Sequence, residues 1–438
     1  MAPKIFLTGA TGYIGGSVFH TLYTAHPDWS YTVLLRTVPP SFSDLYPAAT
    51  IVRGDYDSLD APATAAAISD ADVVVHTGNS DHAPSLRALL QGLKKVEFLH
   101  LLCILHHASQ LSHSFPLFPE NKKKQQPLTP SPPQSPPPQP PSTPQKPTTT
   151  KYLIHLSGTG ILSDYRTSDP SAPPPGTLNP RTYSDVSLAD NTAIFLPPND
   201  GSSDWIDPLH GETERIVYEA WRREEEEATK ESKANGGVRV RTAIMRPPDI
   251  YGRGLGVARK TSAYVPLYVR EILQGEGGGD GDGDGDGEGI GAAFFVGEGQ
   301  NMRGWVHLED LMGLYLKLVE RAVEGGSGDG AAAWGREGYY HATTQETTQL
   351  ELAQAVGRIL YEKGLIKEKE PKQVPLERVD GMMRSYGLPL LGRYLFASNS
   401  RSVATRAKDV LGWVPKAPSI WDVLEQDVAD AVEALGSK

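Results

Sequence analysis

A chain of 438 residues, 39% hydrophobic and 22% charged, has the composition of a soluble globular protein, with length for one large α/β body plus additions. A net charge of −11 argues against nucleic acid or an anionic membrane as partner, because those surfaces need clustered Lys and Arg. The single cysteine, Cys103, excludes an internal disulfide framework and a Cys-based zinc site, and no metal is expected. The longest apolar cluster, 98–105, is far shorter than the roughly 20 residues that cross a bilayer. Residues 1–8 show no hydrophobic region of the secretory kind. The expectation is a cytoplasmic protein that handles a small molecule, with a homodimer left open.

In chain order, short Val, Ile and Leu runs at Lys4–Thr8, 31–35, 49–53, Val73–His76, 152–156 and 238–245 alternate with helical patterns. Runs apolar on both faces suit a parallel sheet covered by helices on each side, which predicts a doubly wound α/β architecture. After the first run comes Thr8-Gly9-Ala10-Thr11-Gly12-Tyr13-Ile14-Gly15, leading into a helix. Strand, three spaced glycines and helix together form a Rossmann-type turn. The glycines allow a tight bend, close backbone approach to a pyrophosphate and close helix packing, and the helix N-terminus offers free N–H groups to the anion. A nicotinamide dinucleotide is therefore expected here. Arg36 ends the second run where an acidic residue would bind a ribose 2′-hydroxyl. Its guanidinium suits a 2′-phosphate and tilts the expectation from NAD toward NADP. Asp55 is placed to accept from the adenine amine, and His76, Thr77 and Gly78 to line the cofactor's other side.

Three segments interrupt the pattern. Residues 115–150 hold thirteen of the 36 prolines, cannot bury enough surface to offset their ordering entropy, and predict a disordered insertion over 103–150. The Gly/Asp alternation over 275–291 lacks the carboxylate offsets and flanking helices of an EF-hand, and reads as an acidic surface loop. Residues 164–207, rich in Pro, Ser, Asp and Asn, read as an irregular excursion. The expected division is a dinucleotide domain over 1–102 and 151–250, then a smaller α/β substrate lobe over 251–438, with 338–365 returning to the first domain.

The glycine turn is joined by the stretches beginning Arg246-Pro247-Pro248-Asp249-Ile250-Tyr251-Gly252, Gly297-Glu298-Gly299-Gln300-Asn301-Met302-Arg303 and Leu411-Gly412-Trp413-Val414-Pro415. In this order they resemble the extended short-chain dehydrogenase/reductases, the NAD-dependent epimerase/dehydratase family, over about 350 residues. The resemblance implies that Pro247 and Ile250 border the nicotinamide and that Arg303 faces the substrate; Trp413 reads as core in any case. Family chemistry uses a Tyr with a Lys four residues on, plus a Ser or Thr that polarises the carbonyl. No Tyr-x-x-x-Lys occurs in this chain, which places it nearer an atypical, NmrA-like branch. His210 stands at the Tyr position and Glu214 at the Lys position; Tyr218 and Arg222 repeat the spacing two turns later. Gly158 replaces the usual reactive hydroxyl, leaving Ser157, or else Thr159, to serve.

A carboxylate one helical turn from an imidazole would raise the His pKa and keep imidazolium available as an acid, so a His210–Glu214 pair could support carbonyl reduction. Both are also ordinary residues for a helix start. Three functions remain open: an NAD(P)-dependent oxidoreductase of small aldehydes, ketones or alcohols; a non-catalytic dinucleotide sensor of NmrA type; and a nucleotide-sugar epimerase or dehydratase.

Overall fold

The computed structural model describes residues 2–94, 149–166, 173–196, 207–230, 237–274, 289–325, 333–388 and 390–436. The expected insertion lies outside these residues up to 148, its last two, Thr149 and Thr150, beginning a strand; all but the end of the Gly/Asp run also lies outside. In chain order the strands are β1 Lys4–Thr8, β2 Ser30–Leu35, β3 Thr50–Arg53, β4 Val73–His76, β5 Thr149–Leu156, β6 Tyr183–Ser184, β7 Val238–Arg246, β8 Asp249–Tyr251, β9 Phe294–Val296, β10 Met302–His307, β11 Tyr339–His341, β12 Gln345–Thr348, β13 Lys372–Val374 and β14 Ser402–Val403.

The six apolar runs all become strands of one sheet, ordered β11-β7-β5-β4-β1-β2-β3, with every pairing parallel. Both faces are covered, which is why the central strands are apolar on both sides, while β7 alternates only at its start, Val238-Arg239-Val240-Arg241. On one face Ile5, Leu7, Val33, Val73, Val75 and Ile154 pack with Val18, Leu311, Leu318 and Trp413. On the other, Phe6, Val74 and Leu153 pack with Ile68, Leu86, Leu89 and Trp221. From β1 the strand order runs one way through β2 and β3 and the other way through β4 and β5, so the C-terminal ends of β1 and β4 open a crevice at the topological switch point.

The second core gathers Tyr264, Tyr268, Phe294, Trp305, Leu352, Val356, Phe396 and Leu424 around the small sheets β12-β10-β8 and β13-β9. Of residues 338–365, only β11 joins the large sheet; the helix Gln349–Glu362 packs into this second core. Conversely, the helix Leu308–Val323 and Trp413 cover the large sheet although they fall after residue 250. The described part of the 164–207 excursion is ordered by long-range contacts: β6 pairs with β14, and the short helix Leu188–Thr192 brings Asn191 inward. Among the described residues no helix is long and apolar enough to cross a membrane.

Candidate active site

At the crevice, Gly9 adopts φ +79°, and a Cβ there would lie 2.5 Å from the Thr77 carbonyl oxygen. Gly12 donates its N–H to the Gly9 oxygen at 2.8 Å and precedes the helix Tyr13–Ala25. A Cβ on Gly15 would collide with the Gly9 carbonyl and the Thr77 hydroxyl. That helix start has no side-chain cap and no acidic residue in its first turn, so its amides and positive dipole end stay available to an anion. Beside it a cleft of about 310 Å³ is lined by Gly9, Thr11, Arg36, Asp55 and Tyr56. Arg36 is exposed there, while one Asp55 oxygen caps the following turn by accepting from the Asp57 N–H at 3.1 Å. This cradle fits a dinucleotide: backbone is bared where a pyrophosphate would rest, and a cation and a carboxylate line the adjoining cleft.

Other residues expected at the cofactor sit behind it. His76 is 1% exposed, meets the Thr8 hydroxyl through Nδ1 at 2.7 Å and stacks on His155 at 5.3 Å. Burial, then His82, lowers its pKa to about 4, so it is a neutral support beneath the turn and does not line the cleft. Thr77 donates to the Thr8 carbonyl at 2.6 Å and is likewise structural. The Tyr13 hydroxyl points away, donating to the Gly252 oxygen at 2.6 Å, and Ile14 packs against the sheet core. Pro247 is buried and accepts the Thr159 N–H at 2.9 Å, while Ile250 of β8 pairs with Val306 of β10.

Across the crevice, His210 has φ +66°, a left-handed backbone uncommon outside glycine and one that costs on the order of 1–3 kcal/mol. Asp81 holds it there. One Asp81 oxygen accepts both the His210 backbone N–H at 3.0 Å and ring Nδ1 at 2.8 Å, with Ser80 Oγ 3.3 Å from the same nitrogen. Although burial raises the Asp81 pKa, its hydrogen bonds to His210 outweigh that and hold it below the ordinary carboxylate value. An ionised Asp81 only accepts, so Nδ1 carries the proton and Nε2 is the free ring nitrogen. Nε2 faces the turn after β5, 3.1 Å from where a Cβ on Gly158 would lie. The missing side chain at 158 and the imidazole at 210 are therefore linked, because the glycine leaves the room that the ring uses.

The expected His210–Glu214 pair does not form. One turn along the helix Gly211–Lys230, Glu214 lies fully buried in an ion pair with Arg246, its Oε1 2.8 Å from Nε and its Oε2 bonded to the other end of the guanidinium. Asn191 takes two more guanidinium N–H groups, through Oδ1 at 2.8 Å and its backbone oxygen at 3.0 Å. Ser157 Oγ donates to Glu214 Oε1 at 2.5 Å, so its proton is committed and cannot polarise a carbonyl in this arrangement. Thr159 is 2% exposed, and Ser400 Oγ donates toward its carbonyl oxygen at 2.7 Å and its hydroxyl oxygen at 3.1 Å. Tyr218 is half-buried, its ring packed against Phe195 and Trp221 with the Arg222 guanidinium 5.5 Å from its centroid, so the pair is spent on covering the core.

Arg303 is also reassigned. It is 2% exposed, with Nε 2.6 Å and a terminal nitrogen 3.2 Å from the Asp249 carboxylate, and it donates to the Tyr394 carbonyl at 2.6 Å. A guanidinium neutralised and bonded in this way is not free to take a diphosphate. Sequence reasoning missed Asp81, Asn191 and Tyr394. Asp81 alone had a signal, in the polar run Asn79-Ser80-Asp81-His82 that leaves β4 at the switch point.

Residues 202–331 match the NAD dependent epimerase/dehydratase family. A curated relative, the oxidase ucsJ of an Acremonium species, is 25% identical over 444 residues, spanning 100% of this chain and 99% of its own. A dTDP-glucose 4,6-dehydratase from Bacillus anthracis str. Ames, solved in complex with NAD, is similar at TM-score 0.50 and 14% identity, over 99% of this chain and 97% of that one. A UDP-glucose 4-epimerase from Thermotoga maritima, solved with UDP-glucose, gives TM-score 0.49 and 14% identity, over 98% and 99% of the two chains. The fold is that of the extended short-chain dehydrogenase/reductases.

Proposed function

We propose that this epimerase/dehydratase-type chain is an NAD(P)-dependent oxidoreductase of small carbonyl compounds, with His210 as its acid–base group and Asp81 holding that group in place. The carrying observation is the aim of His210: a strained residue, tied by ring and backbone to one carboxylate, turns Nε2 onto the Gly158 turn beside the crevice. The dehydratase in complex with NAD and the curated oxidase both support redox chemistry. Gly9, Thr11, Gly12, Gly15 and Gly78 would cradle the dinucleotide, with Asp55 and Arg36 on its adenosine side and Arg36 favouring a 2′-phosphate. When bound, the dinucleotide supplies or accepts the hydride.

His210 then has a defined task. In reduction, protonated Nε2 gives its proton to the substrate oxygen as negative charge develops there; in oxidation, neutral Nε2 removes the hydroxyl proton. Asp81 steadies the imidazolium formed in the second direction. Ser157, Glu214, Arg246 and Asn191 form the rigid wall behind the reacting centre, a supporting role in place of the catalytic one expected for Ser157 and Glu214. The committed Arg303 counts against a nucleotide-sugar substrate.

The test is steady-state NADPH and NADH oxidation over a panel of aldehydes and ketones. At least one member should turn over, and His210→Ala should lower kcat about 10²- to 10⁴-fold with cofactor affinity retained. Binding of cofactor with no turnover of any member would leave a dinucleotide-dependent regulator as the better account.

A further inference from the structure

The family's carbonyl-polarising hydroxyl is missing at Gly158, and Ser157 is bonded elsewhere. A replacement comes from the far side of the crevice. A Cβ on Gly160 would lie 2.9 Å from the Tyr394 hydroxyl oxygen and 2.9 Å from Leu209 Cδ2. Thus the turn Gly158-Thr159-Gly160 is bare at the two places where His210 and Tyr394 approach it, from opposite halves of the molecule.

Tyr394 belongs to the helix Leu391–Ala397 and is fixed from several directions. Its ring packs on Tyr165 at 5.3 Å, the Arg303 guanidinium lies 4.6 Å from its centroid, and its backbone carbonyl takes an Arg303 N–H. Arg303 is in turn anchored to Asp249. The ion pair that removes Arg303 from substrate binding thereby sets the tyrosine in place.

Resting on the oxidoreductase reading, we infer that Tyr394 is a substrate-binding residue whose hydroxyl donates a hydrogen bond to the carbonyl oxygen that His210 protonates. Burial raises its pKa above the ordinary phenol value, with Arg303 opposing and Asp249 and Asp81 adding, so the group keeps its proton and acts as a donor. Leu209, against the same turn, gives that pocket an apolar wall. The substrate class is therefore a small aldehyde or ketone carrying an apolar substituent, its oxygen held between a phenol and an imidazole.

The probe is isobutyramide, an unreactive amide whose carbonyl can take the same hydrogen bond without hydride transfer. Calorimetric titration into protein saturated with NADPH should show binding that is about three- to tenfold weaker in Tyr394→Phe, the loss of one hydrogen bond. NADPH affinity and Tm should stay unchanged, because the phenylalanine keeps the ring contacts to Tyr165 and Arg303. Equal affinity in the two proteins, or no binding by the wild type, overturns the inference. A wild type that binds the amide yet turns over no carbonyl would instead reject the oxidoreductase reading while leaving the Tyr394 hydrogen bond standing.

Discussion

Replacing Glu214 by Gln changes one atom and removes one charge at a position with no solvent. Both partners of the Glu214–Arg246 pair are 0% exposed, so the variant leaves a buried guanidinium with only the neutral Asn191 and a neutral amide around it. Breaking a buried pair in this way costs about 3–5 kcal/mol, most of it the penalty of the uncompensated charge. On a chain of this size that corresponds to a Tm lower by roughly 3–6 °C. Glu212→Gln is the control, one residue pair earlier on the same helix. Its partner Arg87 is 3.4 Å away, with side chains 57% and 51% exposed, and exposed pairs contribute about 0–1 kcal/mol. Thermal melts followed by circular dichroism, with urea titrations for the free energies, make the comparison. If Glu214→Gln melts within about 1 °C of Glu212→Gln, the wall behind the site is not built on this ion pair, and the structural reassignment of Glu214 fails.

Arg36→Ala should weaken NADPH binding by about ten- to a hundredfold, the loss of charged hydrogen bonds to a phosphate, and leave NADH nearly unchanged; equal losses for both cofactors would show that Arg36 does not read the 2′ position. Gly158→Ser, which restores the family's hydroxyl, should reduce turnover, because its Cβ would stand 3.1 Å from His210 Nε2 and displace the ring. A faster Gly158→Ser enzyme would mean that the glycine is not there to admit the imidazole. Asp427 offers a pH test. Burial, opposed by the Gly252 N–H and reinforced by Asp430, raises its pKa from 3.8 to about 6. The folded state therefore holds this proton more tightly than the unfolded one, and the stability it confers, on the order of 3 kcal/mol, is lost as pH rises from about 4 to 6. Asp427→Asn should accordingly gain Tm relative to wild type at about pH 8 and not at about pH 4, and a difference independent of pH would contradict the assignment.

The sheet was legible because its signal is local. β1, β4 and β5 are apolar on both faces since both faces are buried, and each run could be recognised without its neighbours. The glycine turn was legible for the same reason, as one bend whose spacing is written in eight consecutive residues. The chemistry was not, because its partners are distant in sequence. His210 and Glu214 are one helical turn apart, yet each found its counterpart elsewhere: Asp81 lies 129 positions before His210, and Arg246 lies 32 after Glu214. Spacing along a helix says which residues share a face; it does not say which opposite charge the fold brings to that face. Arg303 was misread by the same limit, since in sequence nothing marks it as the partner of Asp249, 54 positions away. The glycines at 158 and 160 look like losses until His210 and Tyr394 are seen to fill the space beside them.

Single-turnover hydride transfer tests the central claim most directly. Protein loaded with NADPH is mixed with excess carbonyl substrate taken from the panel, and the decay of reduced cofactor is followed in wild type, Asp81→Asn and His210→Ala. The account predicts transfer slowed about 10²- to 10⁴-fold in His210→Ala and by a smaller factor in Asp81→Asn, with NADPH affinity intact in both. Transfer at the wild-type rate in His210→Ala would contradict it.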